Sequence, residues 1–141
     1  MKKRILYVED NPQNVLLLKR IMEAEGVELF GAHDGETGWE MATTVLPDLI
    51  LMDLRLSGII SGFELTRRLR LHEDLQHTPI LALSAYSNND AIAAALSAGC
   101  NDFLAKPIDI HKVRHVVHEY LETPVPQLFN ETILDSFKMA Y

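Results

Sequence analysis

Leu49-Ile50-Leu51-Met52-Asp53 is four apolar residues running straight into a carboxylate. Such a run, bounded by Asp48 and Asp53, reads as a strand buried on both faces, the habit of a parallel sheet. In open parallel sheets the reactive groups sit just past the carboxyl ends of the strands. Asp53 is therefore held at the rim where chemistry is expected. Taken alone, an Asp there would read as a turn residue or a helix cap. Its case rests on what the other strands bring to the same rim.

Upstream, Ile5-Leu6-Tyr7-Val8 is a second buried-strand run, ending in Glu9-Asp10. Asn11-Pro12 then starts a helix, with Asn as cap and Pro at its first position. Val15, Leu18 and Met22, with Leu17 and Ile21, give that helix a broad apolar face, and Gly26 stops it. Val27 to Ala32 reads as a strand, Asp34-Gly35 as a turn, and Thr37 to Val45 as a helix offering Trp39, Met41 and Ala42 to the core.

Downstream, Leu54 to Gly62 is a loop by its glycines and serines. Phe63 to Leu71 is a helix with Leu65 and Leu69 inward and Arg67, Arg68 and Arg70 outward. Pro79 to Ser84 is a fourth strand. Asn88 or Asn89 caps an alanine-rich helix that Gly99 ends. Asp102 to Ala105 is a fifth strand running into Lys106-Pro107, and Asp109 opens a last helix to about Tyr120. Strand and helix alternate five times with short connections. That argues for a doubly wound parallel sheet with helices on both faces and right-handed crossovers.

The bulk numbers agree. A chain of 141 residues, 48% hydrophobic and 23% charged, fits one ordinary globular domain with or without a tail. No apolar run approaches the roughly 20 residues of a membrane-spanning helix, and Ile5 to Val8 is too short for a signal peptide. A net charge of -7 argues against nonspecific nucleic-acid binding. The single cysteine, Cys100, makes no internal disulfide and points to a cytoplasmic setting.

Polar groups of a matching kind end several strands: Glu9 and Asp10, then Asp53, then Ser84, with Lys106 after the fifth. Neighbouring strands lie about 4.8 Å apart, so these groups can meet without loop rearrangement. Three clustered carboxylates resist joint ionisation unless a cation neutralises them. All-oxygen donors suit Mg²⁺, and no Cys or His stands at these strand ends for a softer metal. A carboxylate, a metal site, a hydroxyl and an ammonium are the parts for metal-assisted phosphoryl transfer to a carboxylate.

These four elements, Glu9-Asp10, Ile50-Leu51-Met52-Asp53, Ser84-Ala85 and Lys106-Pro107, occur in the order and spacing of a response-regulator receiver domain of two-component signalling, which the chain resembles from Lys3 to about Leu121. The resemblance implies a flavodoxin-like sheet of strand order 2-1-3-4-5. It divides the chain into a receiver domain over residues 1–121 and a tail over 122–141. It implies that Asp53 is the phosphoacceptor, that Asp10 and Asp53 ligate Mg²⁺ directly with the Arg55 backbone carbonyl as a further ligand, that Glu9 helps through water, and that Ser84 and Lys106 bind the phosphoryl group. Phe103 falls at the switch-aromatic position, and Pro107 follows what is usually a cis bond. Expected partners are a sensor histidine kinase or phosphotransfer protein and a downstream protein target, with a phosphorylation-dependent or tail-mediated dimer as a further form. The domain would catalyse only its own phosphorylation and dephosphorylation. The alternative reading is a phosphate shuttle or sink in a phosphorelay.

The loop after Asp53 departs from the family pattern. It is one residue longer, has Gly58 and no proline, and is expected to be more mobile. Ser84 and Phe103 replace the commoner Thr and Tyr. A phosphatase of the haloacid-dehalogenase type would need a second Asp two residues after the first, where Arg55 stands. A dinucleotide module would need a glycine-rich loop after the first strand, where Glu9-Asp10 would repel phosphate. His111, His115 and His118 fall on one face of the last helix. That spacing could hold a metal, but exposed helix histidines are the commoner reading, with Lys112 and Arg114 solvated beside them. Thr123 to Pro126 breaks the last helix. A short amphipathic helix from Asn130 through Met139 is expected in the tail, too short to be stable alone.

Overall fold

A computed structural model describes residues 1–126 of the chain. The expected tail helix lies outside the described residues. Five strands and five helices alternate: β1 (Arg4–Val8), α1 (Pro12–Ala24), β2 (Glu28–Ala32), α2 (Gly35–Val45), β3 (Leu49–Asp53), α3 (Gly62–Leu71), β4 (Ile80–Ser84), α4 (Asn89–Ala98), β5 (Asp102–Ala105) and α5 (Ile110–Leu121). The strands form one parallel sheet in the order β2-β1-β3-β4-β5.

Every residue of β3 and β4 is buried, because both faces of the central sheet are covered. Alternate residues feed opposite layers. Ile5, Tyr7, Leu49, Leu51, Leu81 and Leu83 pack with α1 and α5. Leu6, Val8, Ile50, Met52, Ile80 and Ala82 pack with α2, α3 and α4. Each such side chain contributes about 1.5–3 kcal/mol by leaving water, so the four-residue apolar runs dictate the sandwich. The caps are local. Asn11 accepts the Gln13 amide with Pro12 at the first helical position, Ser61 accepts from Glu64, Asn88 from Ala91, and Asp109 from His111 and Lys112.

The register fixes the rim. Val8 pairs with Met52, Asp53 with Leu83 and Ser84 with Ala105, so Glu9, Asp53, Ser84 and Lys106 emerge at one edge.

Three expectations fail. Asp34 is the N-cap of α2, its side chain accepting the Thr37 amide, so the helix starts at Gly35 rather than after a turn. Arg70 does not face solvent freely. It donates to the carbonyls of Gly99 at 2.8 Å and Thr78 at 2.6 Å and to Asn101 Oδ1 at 2.7 Å, lacing α3 to the two turns that flank β4 and β5. The third failure is α5. Arg114 and His118 are buried, one turn apart beside Val113 and Val117, and both pair with Glu25 at the end of α1.

His118 Nε2 lies 2.8 Å from Glu25 Oε1, and its Nδ1 lies 2.7 Å from Thr123 Oγ1. Arg114 also donates to the Pro126 carbonyl at 3.0 Å. The charge of Glu25 is what lets these side chains be buried. Among the described residues the helix histidines form no metal-holding cluster. Glu25, the partner of Arg114 and His118, stands some ninety positions earlier in sequence, beyond the reach of helical periodicity.

Candidate functional site

β1 ends in Glu9, which is buried, and Asp10, which is exposed. β3 ends in Asp53, whose whole residue keeps 4% of its accessible surface. Oxygens of the three carboxylates lie within 4.8 Å of one another. Lys106, whose backbone amide donates to the Ser84 carbonyl at 2.8 Å as the chain leaves β5, bridges the buried pair. Its ammonium donates to Glu9 Oε1 at 2.8 Å and to Asp53 Oδ2 at 3.1 Å. The Arg55 amide donates to Asp53 Oδ1 at 3.0 Å, turning the chain sharply out of β3.

The electrostatics follow from this crowding. Burial raises the Asp53 carboxyl, and the neighbouring Glu9 raises it further, to about 6, against the Arg55 amide and Lys106. Burial also opposes the Glu9 anion, but the neighbouring Asp53 carboxyl and the hydrogen bonds from Asn14 and Lys106 outweigh it and hold Glu9 below the usual carboxylate range. Burial opposes the Lys106 ammonium too, yet Glu9 and Asp53 hold it above its ordinary value, so it stays charged. The two carboxyls therefore titrate as a pair, with Asp53 the more readily protonated.

A hard cation fits this donor set. Glu9 Oε2 is buried with no hydrogen-bond partner among the described residues. A buried acceptor left in that state costs about 1–3 kcal/mol, more when charged. An oxygen-liganded dication would satisfy that oxygen and relieve the repulsion among the three carboxylates. Oxygen donors without nitrogen or sulfur suit Mg²⁺.

Ser84 is buried at the end of β4, its Oγ accepting the Tyr86 amide at 3.1 Å. Phe103 pairs with Ala82 in β5, and its half-buried ring packs against the α2-α3-α4 layer. The Lys106–Pro107 bond is cis. The Arg55 guanidinium carbon lies 4.7 Å from the centre of the Tyr86 ring, joining the loops after β3 and β4 by a cation–π contact.

The loop expected to be mobile is fastened by α2. Glu36 Oε1 accepts the Ile60 amide at 3.1 Å, and Ile60 is buried over Gly35, while Ile59 stands out in solvent. Gly62 brings the loop back onto β3. A Cβ there would collide with the Asp53 carbonyl oxygen and sit 2.8 Å from Leu54 Cα.

Glu9, Asp10, Asp53 and Lys106 therefore meet, with Ser84 at the same rim, but four contributors escaped the sequence reading. They are Tyr7 and Asn14, which hold Glu9, and Glu36 and Gly62, which shape the loop. Only Asn14 carried a local signal, being the third helical residue after a strong cap and so directed back toward the strand end.

A family model described as a response regulator receiver domain matches residues 5–118. The polar-differentiation response regulator DivK of Brucella ovis is 33% identical over 121 residues, covering 86% of this chain and 98% of its own length. Among solved structures, a putative response regulator from Chloroflexus aurantiacus superposes with a TM-score of 0.80 at 31% identity, over 86% of this chain and 99% of that one. The receiver domain of the Pseudomonas aeruginosa sensor histidine kinase PA1611, solved with magnesium coordinated in its active site cleft, has a TM-score of 0.78 at 31% identity, over 87% and 100% of the two chains.

Proposed function

The chain belongs to the response regulator receiver domain family, and on that premise we propose that Asp53 accepts a phosphoryl group from a sensor histidine kinase or phosphotransfer protein. The observation that carries this reading is the cluster of Glu9, Asp10 and Asp53, with oxygens within 4.8 Å of one another and the Lys106 ammonium 3.1 Å from Asp53. An ionised Asp53 oxygen forms a bond to phosphorus as the phosphorus–nitrogen bond of the donor imidazole breaks, and the electron pair leaves with that nitrogen.

Asp10 and Asp53, with Glu9 and the Arg55 carbonyl, would hold Mg²⁺, which supplies charge neutralisation to the incoming phosphoryl oxygens. The PA1611 receiver domain, with magnesium in its cleft, supports that assignment. Lys106 binds a second phosphoryl oxygen, and Ser84 a third once its hydroxyl turns from the Tyr86 amide. Arg55 and Tyr86, stacked over the loops, limit the approach of water and so set phosphoryl lifetime. The only turnover is of the chain's own phosphoryl group, in the cytoplasm.

Output runs through the face of α4, β5 and α5. As Ser84 moves, Phe103 follows, and α4 adjusts toward a downstream protein target. Of the α4 side chains only Ala95 and Ala98 are buried, so the helix is thinly anchored and shifts at small cost.

Intact mass after incubation with a small acyl phosphate and Mg²⁺ tests the acceptor. One phosphoryl mass should appear in the wild type and none in Asp53→Asn; equal labelling of both refutes it. Amide hydrogen exchange with a phosphoryl mimic tests the output. Altered protection over 87–103 supports the switch, whereas change confined to the loop after Asp53 supports a phosphate shuttle.

A further inference from the structure

Glu9 presents its two carboxylate oxygens unequally. Oε1 accepts from Lys106 Nζ at 2.8 Å, Asn14 Nδ2 at 2.9 Å and Tyr7 Oη at 3.4 Å. Oε2 is equally enclosed and accepts from nothing among the described residues. A carboxylate free to rotate would spread its donors over both oxygens, since each oxygen has lone pairs for two. Here the donors come from three separate elements, β1, α1 and the end of β5, and converge on one oxygen.

We propose that Asn14, assisted by Tyr7, is a positioning residue for the cation site: it saturates Glu9 Oε1 and so keeps Oε2 directed at Mg²⁺. The inference rests on the receiver reading of the site and names a residue which that reading does not include.

The role follows from how α1 begins. Asn11 caps the helix and Pro12 takes its first position, so Asn14 is the third helical residue. Helical Cβ atoms tilt toward the N-terminus, here toward the end of β1. The amide is neutral, so it orients Glu9 without competing for the cation as a charge.

Lys106 alone cannot do this. It divides its donors between Glu9 and Asp53, and in the proposed reaction it turns to the phosphoryl group. Asn14 and Tyr7 are the donors that remain on Glu9 when that happens. Without Asn14 the carboxylate can rotate and give Oε2 to Lys106 as well, and the cation loses its oxygen. Outer partners of metal ligands typically carry about ten- to hundredfold in metal affinity.

The test is calorimetric titration of the full chain with MgCl₂, beside melting of the metal-free protein. Asn14→Leu keeps the branched outline of the side chain, is somewhat larger, and removes the donor. It should weaken Mg²⁺ binding about tenfold or more while lowering the metal-free melting temperature by no more than the loss of one hydrogen bond brings. Asn14→Gln, which retains an amide, should recover part of the affinity, and Tyr7→Phe should lose less than Asn14→Leu because its bond is longer. Wild-type affinity in Asn14→Leu overturns the inference alone. Equal losses in the Leu and Gln variants, matched by a fallen metal-free melting temperature, overturn it in favour of a packing role. A wild-type chain that binds no Mg²⁺, like the Asp10→Asn control, overturns the metal reading and the inference together.

Discussion

Replacing Asp53 by Asn in the metal-free protein should stabilise it, and by an amount that depends on pH. Asp53 is raised from 3.8 to about 6 in the folded chain. A raised carboxyl contributes stability below its unfolded value and loses it as pH rises through the folded one. Above pH 6 the wild type therefore folds against the ionisation of a buried carboxylate beside Glu9. That rise corresponds to about 3 kcal/mol, an upper figure because Asp53 and Glu9 titrate as a pair. Asn keeps an oxygen for the Arg55 amide but gives up the 3.1 Å ion pair with Lys106. Lys106 retains Glu9 at 2.8 Å, so the net gain is set at about 2 kcal/mol, or roughly 6–10 °C for a domain of this size. Thermal melts in EDTA at pH 8 should show that gain, and at pH 5, where wild-type Asp53 is protonated in the folded state, most of it should vanish. Millimolar Mg²⁺ at pH 8 should stabilise the wild type and close the gap. A variant less stable than wild type at pH 8, or a gap that does not change with pH, would refute the account of crowded carboxylates.

Replacing both Arg55 and Tyr86 with Ala should change the decay rate of the phosphorylated protein severalfold, followed by intact mass after the donor is removed; an unchanged rate rules out shielding by the stacked pair. Glu25→Ala leaves Arg114 and His118 buried without their carboxylate and should cost about 3–5 kcal/mol in urea denaturation, while a loss below 1 kcal/mol would mean that water replaces Glu25 freely. Gly62→Ala drives a methyl group into the Asp53 carbonyl and Leu54; it should slow acyl-phosphate labelling at least tenfold and lower the melting temperature, and normal labelling would mean that the loop yields without moving the acceptor.

The sequence by itself determined the layers of this protein and the chemistry of its rim. Buried strands of a parallel sheet must be apolar along their whole length, so Leu49 to Met52 and Ile80 to Leu83 identify themselves, and the residue at which each run turns polar is the residue the fold presents. Some caps were legible for the same reason: Asn11 and Asp109 act on amides two or three positions away, and Asn88 is one of the two candidates read for α4.

What only the tertiary structure decided lies at longer range or turns on shape. Arg114 and His118 looked solvated because periodicity assigns a face but not a partner, and Glu25 arrives from another helix. Arg70 looked solvent-facing because its partners are backbone carbonyls and one asparagine of distant turns, which carry no mark in the sequence. The loop after Asp53 looked loose because Gly58 and the missing proline speak for the unfolded chain, whereas Glu36 and Gly35 fasten it in the folded one. The unequal use of the two Glu9 oxygens belongs here as well, since it arises from three elements meeting at one atom, and only their packing brings them together.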